Sequence, residues 1–238
     1  MKTVIKRNFI FILLSFISLS IEAQGNLPNW ELGGNIGFTA YQGDLSPSGL
    51  GSYKTLKPTI VLSASKIFSE KIKLRTALTI GQFKGDESKF SAPAYRRLRN
   101  LSFTTSFEEV SEVVIWNFLE SAGQSEPKII SPYIFGGVGI SFLNVKRNAN
   151  NVSPILIAIE PKIATDLAQD LSTPTPKSIW VLPVGVGANF NITEQISLNA
   201  ELNFRYSKND YLDGFSKVAN PKKNDYYYGA TVGISYKL

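Results

Sequence analysis

The chain has 238 residues and a formal net charge of +6, with no cysteine, no histidine and one methionine beside fifteen Phe, ten Tyr and three Trp. Lacking cysteine it has no disulfide, no thiolate metal site and no thiol nucleophile; lacking histidine it has no Ser-His or Cys-His dyad and no imidazole for zinc. Composition leaves carboxylate, Lys or Tyr chemistry, or no chemistry at all, and no cofactor is expected.

The chain opens with MKTVIKRNFIFILLSFISLSIEAQ, in which Lys2, Lys6 and Arg7 precede an apolar run over residues 9–19, and Ile21 and Ala23 occupy the positions a signal peptidase reads. This predicts a secretory signal peptide over residues 1–23, since the run is shorter than the ~20 residues of a membrane span. One mature domain follows over residues 24–238. No cysteine follows the cleavage point, so no lipid anchor is expected. Without Lys2, Lys6, Arg7 and Glu22 the charge is +4 and spread along the chain, which makes no case for nucleic acid.

The mature chain alternates with period 2. In the first predicted strand Trp30, Leu32, Ile36 and Phe38 oppose Glu31, Gly33, Asn35, Gly37 and Thr39. Residues 58–69 form a second, less regular strand. A third sets Ile72, Leu74, Leu78 and Ile80 against Lys73, Arg75 and Thr79, and residues 101–120 supply a β-rich fourth. The fifth sets Ile134, Val138, Ile140 and Phe142 against Gly137, Gly139 and Ser141. Three cleaner repeats close the chain: WVLPVGVGANFNI, ISLNAELNFRYS and YYYGATVGISYKL, each with one apolar face and one small or polar face.

Connections alternate as well. SEK (residues 69–71) and TEQ (193–195) are tight turns, ESAGQSEPK (120–128) is of medium length, and the other connections are long, the region from 144 to 177 above all. Short turns at one end, long loops at the other and eight strands describe an all-β, eight-stranded antiparallel transmembrane outer-membrane β-barrel. A water-soluble barrel would bury its apolar face; a membrane barrel turns it to outer-membrane lipid and leaves the polar face to a lumen just wide enough for side chains. Signal peptide, loop asymmetry and aromatics at both ends of the strands (Trp30, Phe190 and Tyr236; Phe38, Trp180, Tyr206 and Tyr228) favour the membrane barrel.

Glu31, Arg75, Glu201 and Arg205 fall on the expected lumen face, with Glu108, Glu109 and Glu112 of the fourth strand less regular. They read either as an internal charge network or as an ion path. Glu108 and Glu109 cannot serve as acid and base on one bond, because adjacent strand residues point to opposite faces. Arg96, Arg97 and Arg99 cluster in an outer loop, either as a grip on lipopolysaccharide phosphate or as solvated charges. Residues 155–159, ILIAI, are too apolar for free solution; they extend the wall as a hairpin, lie under a helix formed by KIATDLAQDL, or meet a partner.

Several stretches resemble the small outer-membrane barrel of the Bacteroidetes type IX secretion system and its paralogues: YQGDL (41–45), RNLSF (99–103), PYIFGGVGI (132–140), LPVGVG (182–187), DYLDGFSK (210–217) and DYYYGATVGISY (225–236). The resemblance implies a non-enzymatic outer-membrane protein with periplasmic termini, whose secretion-system member associates with a periplasmic ring of a lipoprotein and its partner. That member carries a cysteine-containing extension after its last strand, and this chain has none. The resemblance also implies that the last strand is a signal for the barrel insertion machinery, carried by Thr231, Gly233, Tyr236 and Leu238.

Overall fold

A computed structural model describes residues 29–46, 52–119, 129–219 and 225–238. The expected signal peptide and the connection at 120–128 lie outside the described residues.

Eight strands close on themselves in chain order, each antiparallel to its neighbours: β1 (Trp30–Gln42), β2 (Lys57–Ile67), β3 (Ile72–Asp86), β4 (Ser102–Trp116), β5 (Ile130–Asn148), β6 (Ser178–Asn191), β7 (Ile196–Tyr206) and β8 (Tyr226–Lys237). The seam joins β1 to β8, in register from Glu31 opposite Lys237 to Gln42 opposite Tyr226. A closed sheet leaves no edge of unpaired backbone groups, which is the condition for a sheet to stand in hydrocarbon.

Polarity follows the alternation. Ile36 (64% exposed), Phe38, Leu62 and Leu202 point outward, while Asn35, Thr79, Glu109 and Glu201 are buried in the lumen. The apolar face is on the outside, the reverse of a water-soluble barrel. At the short-turn end, Thr193 Oγ1 accepts from the backbone N–H groups of Gln195 and Ile196 and so closes the β6–β7 turn within four residues.

Two strands depart from expectation. β4 ends at Trp116, and Asn117 fastens its end to the β2–β3 turn, donating from its backbone to Lys71 O (2.8 Å) and from Nδ2 to Glu70 O (3.0 Å). β5 continues to Asn148, so residues 144–148, expected in a loop, are strand paired with β4 up to Ser102. The polarity of the two faces reverses there: Phe83, Phe103, Phe107 and Leu143 point inward and are buried, whereas Gln82, Asn144 and Lys146 point outward and are exposed. Where these strands rise above the apolar band, water replaces lipid as the outer solvent, and the apolar side chains turn inside.

The long loops fold over the wide end. They carry α1 (Tyr95–Arg99), α2 (Pro154–Ile159) and α3 (Lys162–Ser172). α2 starts where Ser153 Oγ accepts from Ile155 N (3.3 Å) with Pro154 in the first turn. Ile163 and Leu167 of α3 pack against a core of Tyr41, Phe83, Phe103, Leu212 and Phe215. Of ILIAI, Leu156 is buried while Ile155 and Ile159 remain exposed.

Candidate functional site

Polar, charged and aromatic side chains occupy the lumen at successive levels. Beginning at the short-turn end, Lys73 Nζ meets Glu31 Oε2 at 2.7 Å, and Asn35 of β1 donates to Asn199 of β7. Above them Arg75 of β3 reaches across to Glu201 of β7 (2.5 Å), whose Oε1 also accepts from Tyr133 OH (2.6 Å). The Arg75 guanidinium lies 4.9 Å from the centre of the Phe135 ring. Next comes Glu109 of β4, which accepts from Arg205 (3.3 Å), Tyr227 OH (2.8 Å) and Ser141 Oγ (3.1 Å). The two inner pairs, Arg75–Glu201 and Arg205–Glu109, lie away from water, where charges are tolerable only when paired and hydrogen-bonded, as both are. The space left among Glu31, Lys73, Arg75 and Tyr133 is about 10 Å³, room for roughly one water molecule.

Aromatic rings seal the upper lumen. Phe83 stacks on Tyr227 with centroids 4.9 Å apart, and Tyr41 meets Phe103 edge to face at 4.7 Å. The loops are fastened above them. Asp170 at the end of α3 is fully buried and accepts from the backbone N–H groups of Ser216, Lys217 and Val218 at 2.9–3.2 Å, and from Tyr211 OH (3.1 Å). Arg147, at the top of β5, donates to the carbonyls of Asp170, Leu171, Thr173 and Gly214. Gly214 has φ +84°, and a Cβ there would stand 3.0 Å from Arg147 Cδ, so glycine is required for this approach.

Beneath the β7–β8 loop, Tyr41 OH lies 2.7 Å from Asp213 Oδ2 and 2.6 Å from Asp225 Oδ1. One phenol proton cannot be given to two carboxylates, so both contacts are satisfied only when one carboxyl is protonated. Burial pushes both carboxyls well above the ordinary carboxylate range, and Asp213 adds to the rise at Asp225.

The expected lumen residues are distributed in pairs that alternation did not specify. Arg75 and Glu201 come together, but Glu31 goes to Lys73 and Arg205 to Glu109. Lys73 and Tyr227 were legible as lumen positions by their odd numbers within β3 and β8, and their pairing was not. Glu108 and Glu112 are on the outer face, Glu112 accepting from Thr76 Oγ1 at 2.7 Å, because even-numbered β4 positions point outward. The arginine trio does not form one phosphate-facing surface either. Arg99 is buried against Glu87 at 2.5 Å, Arg96 is buried and donates to Asp44 O (3.1 Å), and Arg97 alone of the three is exposed. In the last strand Thr231 and Gly233 face the lumen, while Tyr236 and Leu238 face outward; Leu238 N donates to Trp30 O at 2.9 Å across the seam. Among the described residues no group of three or more carboxylates is arranged to hold a metal ion.

This outward-apolar, eight-stranded architecture is that of bacterial outer-membrane barrels. A family model described as "Domain of unknown function (DUF6089)" matches residues 6–231. The chain belongs to the DUF6089 family. No curated protein matches its sequence. Among solved structures, this DUF6089 barrel is similar to Neisserial surface protein A (14% identity, TM-score 0.47, covering 88% of this chain and 97% of that one). It is also similar to a major outer membrane protein of Thermus thermophilus (12%, 0.45, 87% and 98%) and to OprG of Pseudomonas aeruginosa (10%, 0.43, 90% and 98%).

Proposed function

We propose that this barrel is a non-enzymatic structural component that anchors a periplasmic partner to the outer membrane. The observation that carries this reading is the filled lumen: among the described residues, three stacked ion pairs under an aromatic seal leave no path for a solute, so the surfaces at the two ends do the work. The short-turn end carries a polar vestibule of about 320 Å³ bordered by Asn29, Glu70, Asn191, Glu194 and Lys237, open to whatever compartment that end faces. With a signal peptide over residues 1–23 and both termini periplasmic, that compartment is the periplasm.

The likeness of YQGDL, RNLSF and DYLDGFSK to the type IX secretion barrel supports ring proteins of that machine as the partner. Pull-down in mild detergent from native membranes tests it: a ring lipoprotein co-purifying with the wild-type chain and lost on Glu70→Lys/Glu194→Lys is the expected result, and intact ring complexes lacking the barrel would overturn it. The alternative class, a transport barrel, is tested by planar-bilayer recording. No conductance above the lipid background is expected.

In this reading Thr231, Gly233, Tyr236 and Leu238 are what the insertion machinery recognises. Deleting residues 236–238 is expected to leave the chain in the periplasm, where it is degraded; unchanged membrane levels would count against that role.

A further inference from the structure

The barrel wall is taller on one side. β3 and β4 remain paired up to Asp86 and Ser102, and β4 and β5 up to Ser102 and Asn148, whereas β2 begins at Lys57 and β6 at Ser178. At the foot of this wall a groove of about 1050 Å³ opens on the outer surface. Its lower part is lined by Ile60, Ile80 and Phe142, and its upper part by Gln82, Asn144 and Lys177. Lys146 follows two residues above Asn144 on the same face. The groove therefore straddles the level at which the outward face changes from apolar to polar.

Its charges are uneven. Lys84, higher on the wall, is paired with Asp86 at 2.8 Å, but among the described residues neither Lys146 nor Lys177 has an ion-pair partner, and both are exposed. Lys177 lies beside Leu143, whose N donates to Lys177 O (2.8 Å), three residues below Lys146 on β5. Glu108 lines the groove between Ile80 and Phe142, in register with both. That row lies two residues, about 7 Å, below Asn144, and below the level of both lysines.

We propose that this groove binds a lipid with a phosphorylated headgroup, its acyl chain on Ile60, Ile80 and Phe142 and its phosphate between Lys146 and Lys177. The physical ground is the match in height: hydrocarbon is the solvent beside the apolar residues, and the ammonium groups of Lys146 and Lys177, without an ion-pair partner among the described residues, stand where headgroups begin. The arginine trio of the β3–β4 loop, with two members buried, does not compete for this role. The site depends on the barrel crossing a membrane and not on what its periplasmic end binds.

The test is native mass spectrometry of the detergent-purified full barrel, titrated with a diphosphorylated disaccharide lipid and with its dephosphorylated counterpart, with heat modifiability confirming that each variant is folded. One phosphorylated lipid retained per barrel is expected, with retention falling about tenfold for Lys146→Gln and again for Lys177→Gln, the fold-change of one charge-assisted hydrogen bond. Ile80→Gln is expected to weaken retention and Arg97→Gln to leave it unchanged. Equal retention of the dephosphorylated lipid, or indifference to both lysine variants, would overturn the site. Full displacement by millimolar inorganic phosphate would overturn the acyl-chain contact.

Discussion

Arg205 of β7 and Glu109 of β4 meet in the middle of the lumen, 96 residues apart in the chain and 3.3 Å apart in space. Both are buried, and each is the main countercharge of the other. Removing one partner leaves a buried charge unpaired, so Arg205→Met is expected to destabilise the barrel by about 3–5 kcal/mol. The double variant Glu109→Leu/Arg205→Met should recover most of that loss. Urea unfolding in micelles, followed by tryptophan fluorescence, measures both; a single variant as stable as wild type would refute the internal network.

Gly34 and Gly37 of β1 are not equivalent. At Gly34 a Cβ would meet nothing within 4 Å, whereas at Gly37 it would stand 2.0 Å from Ala230 O across the seam. Gly34→Val is expected to change stability by about 0.5 kcal/mol or less, and Gly37→Val to cost more than about 4 kcal/mol by keeping β8 from closing on β1. The heat-modifiable folded band on unboiled gels should persist in the first and vanish in the second.

Asp170 holds the β7–β8 loop by the backbone N–H groups of three successive residues, Ser216, Lys217 and Val218. Asp170→Ala is expected to cost about 3 kcal/mol locally. Because Lys217 lies in the released segment, trypsin should nick the variant there while the barrel remains folded. Equal trypsin resistance in variant and wild type would show that Arg147 and the aromatic core hold the loop without it.

The Tyr41–Asp213–Asp225 cluster makes stability fall as pH rises. Both carboxyls are raised in the folded chain, so from about pH 4 upward the folded state holds more protons than the unfolded one. Their stabilising contribution is present at acid pH and is lost as pH climbs through the folded values, with Asp44 and Asp210 nearby adding to the repulsion. Unfolding midpoints at pH 5 and pH 8 should show wild type more stable at pH 5, and Asp225→Asn should flatten that difference.

Within the membrane band, the fold was legible because lipid outside and packed polar groups inside impose one alternation on every strand. β6, β7 and β8 carry it without interruption, and the tight turns at 69–71 and 193–195 supply the registers. The same rule hid the upper parts of β3, β4 and β5. There Phe83, Phe103 and Phe107 point inward and Gln82, Ser106 and Asn144 outward, so the phase of the pattern inverts within a single strand. A strand crossing from lipid to water reads as noise to any test that assumes one solvent.

The candidate sites divide along the same line. That Glu31, Arg75, Glu201 and Arg205 lie on the inner face follows from their odd-numbered positions alone. Their partners do not, because alternation specifies a face while an ion pair also needs a height, and relative height is set by the stagger of eight strands around a closed barrel. The arginine trio shows the converse: a basic run in a loop reads as solvated until folding brings Glu87, twelve residues before Arg99, into contact with it. Taken alone, the sequence determined the strand count, the solvent on each side and the excluded chemistries, since these depend only on local period and residue type. Which charges meet, which loops close the top and where the outer wall leaves a groove were decided by the tertiary structure, because they depend on distances between residues as far apart in the chain as Arg75 and Glu201.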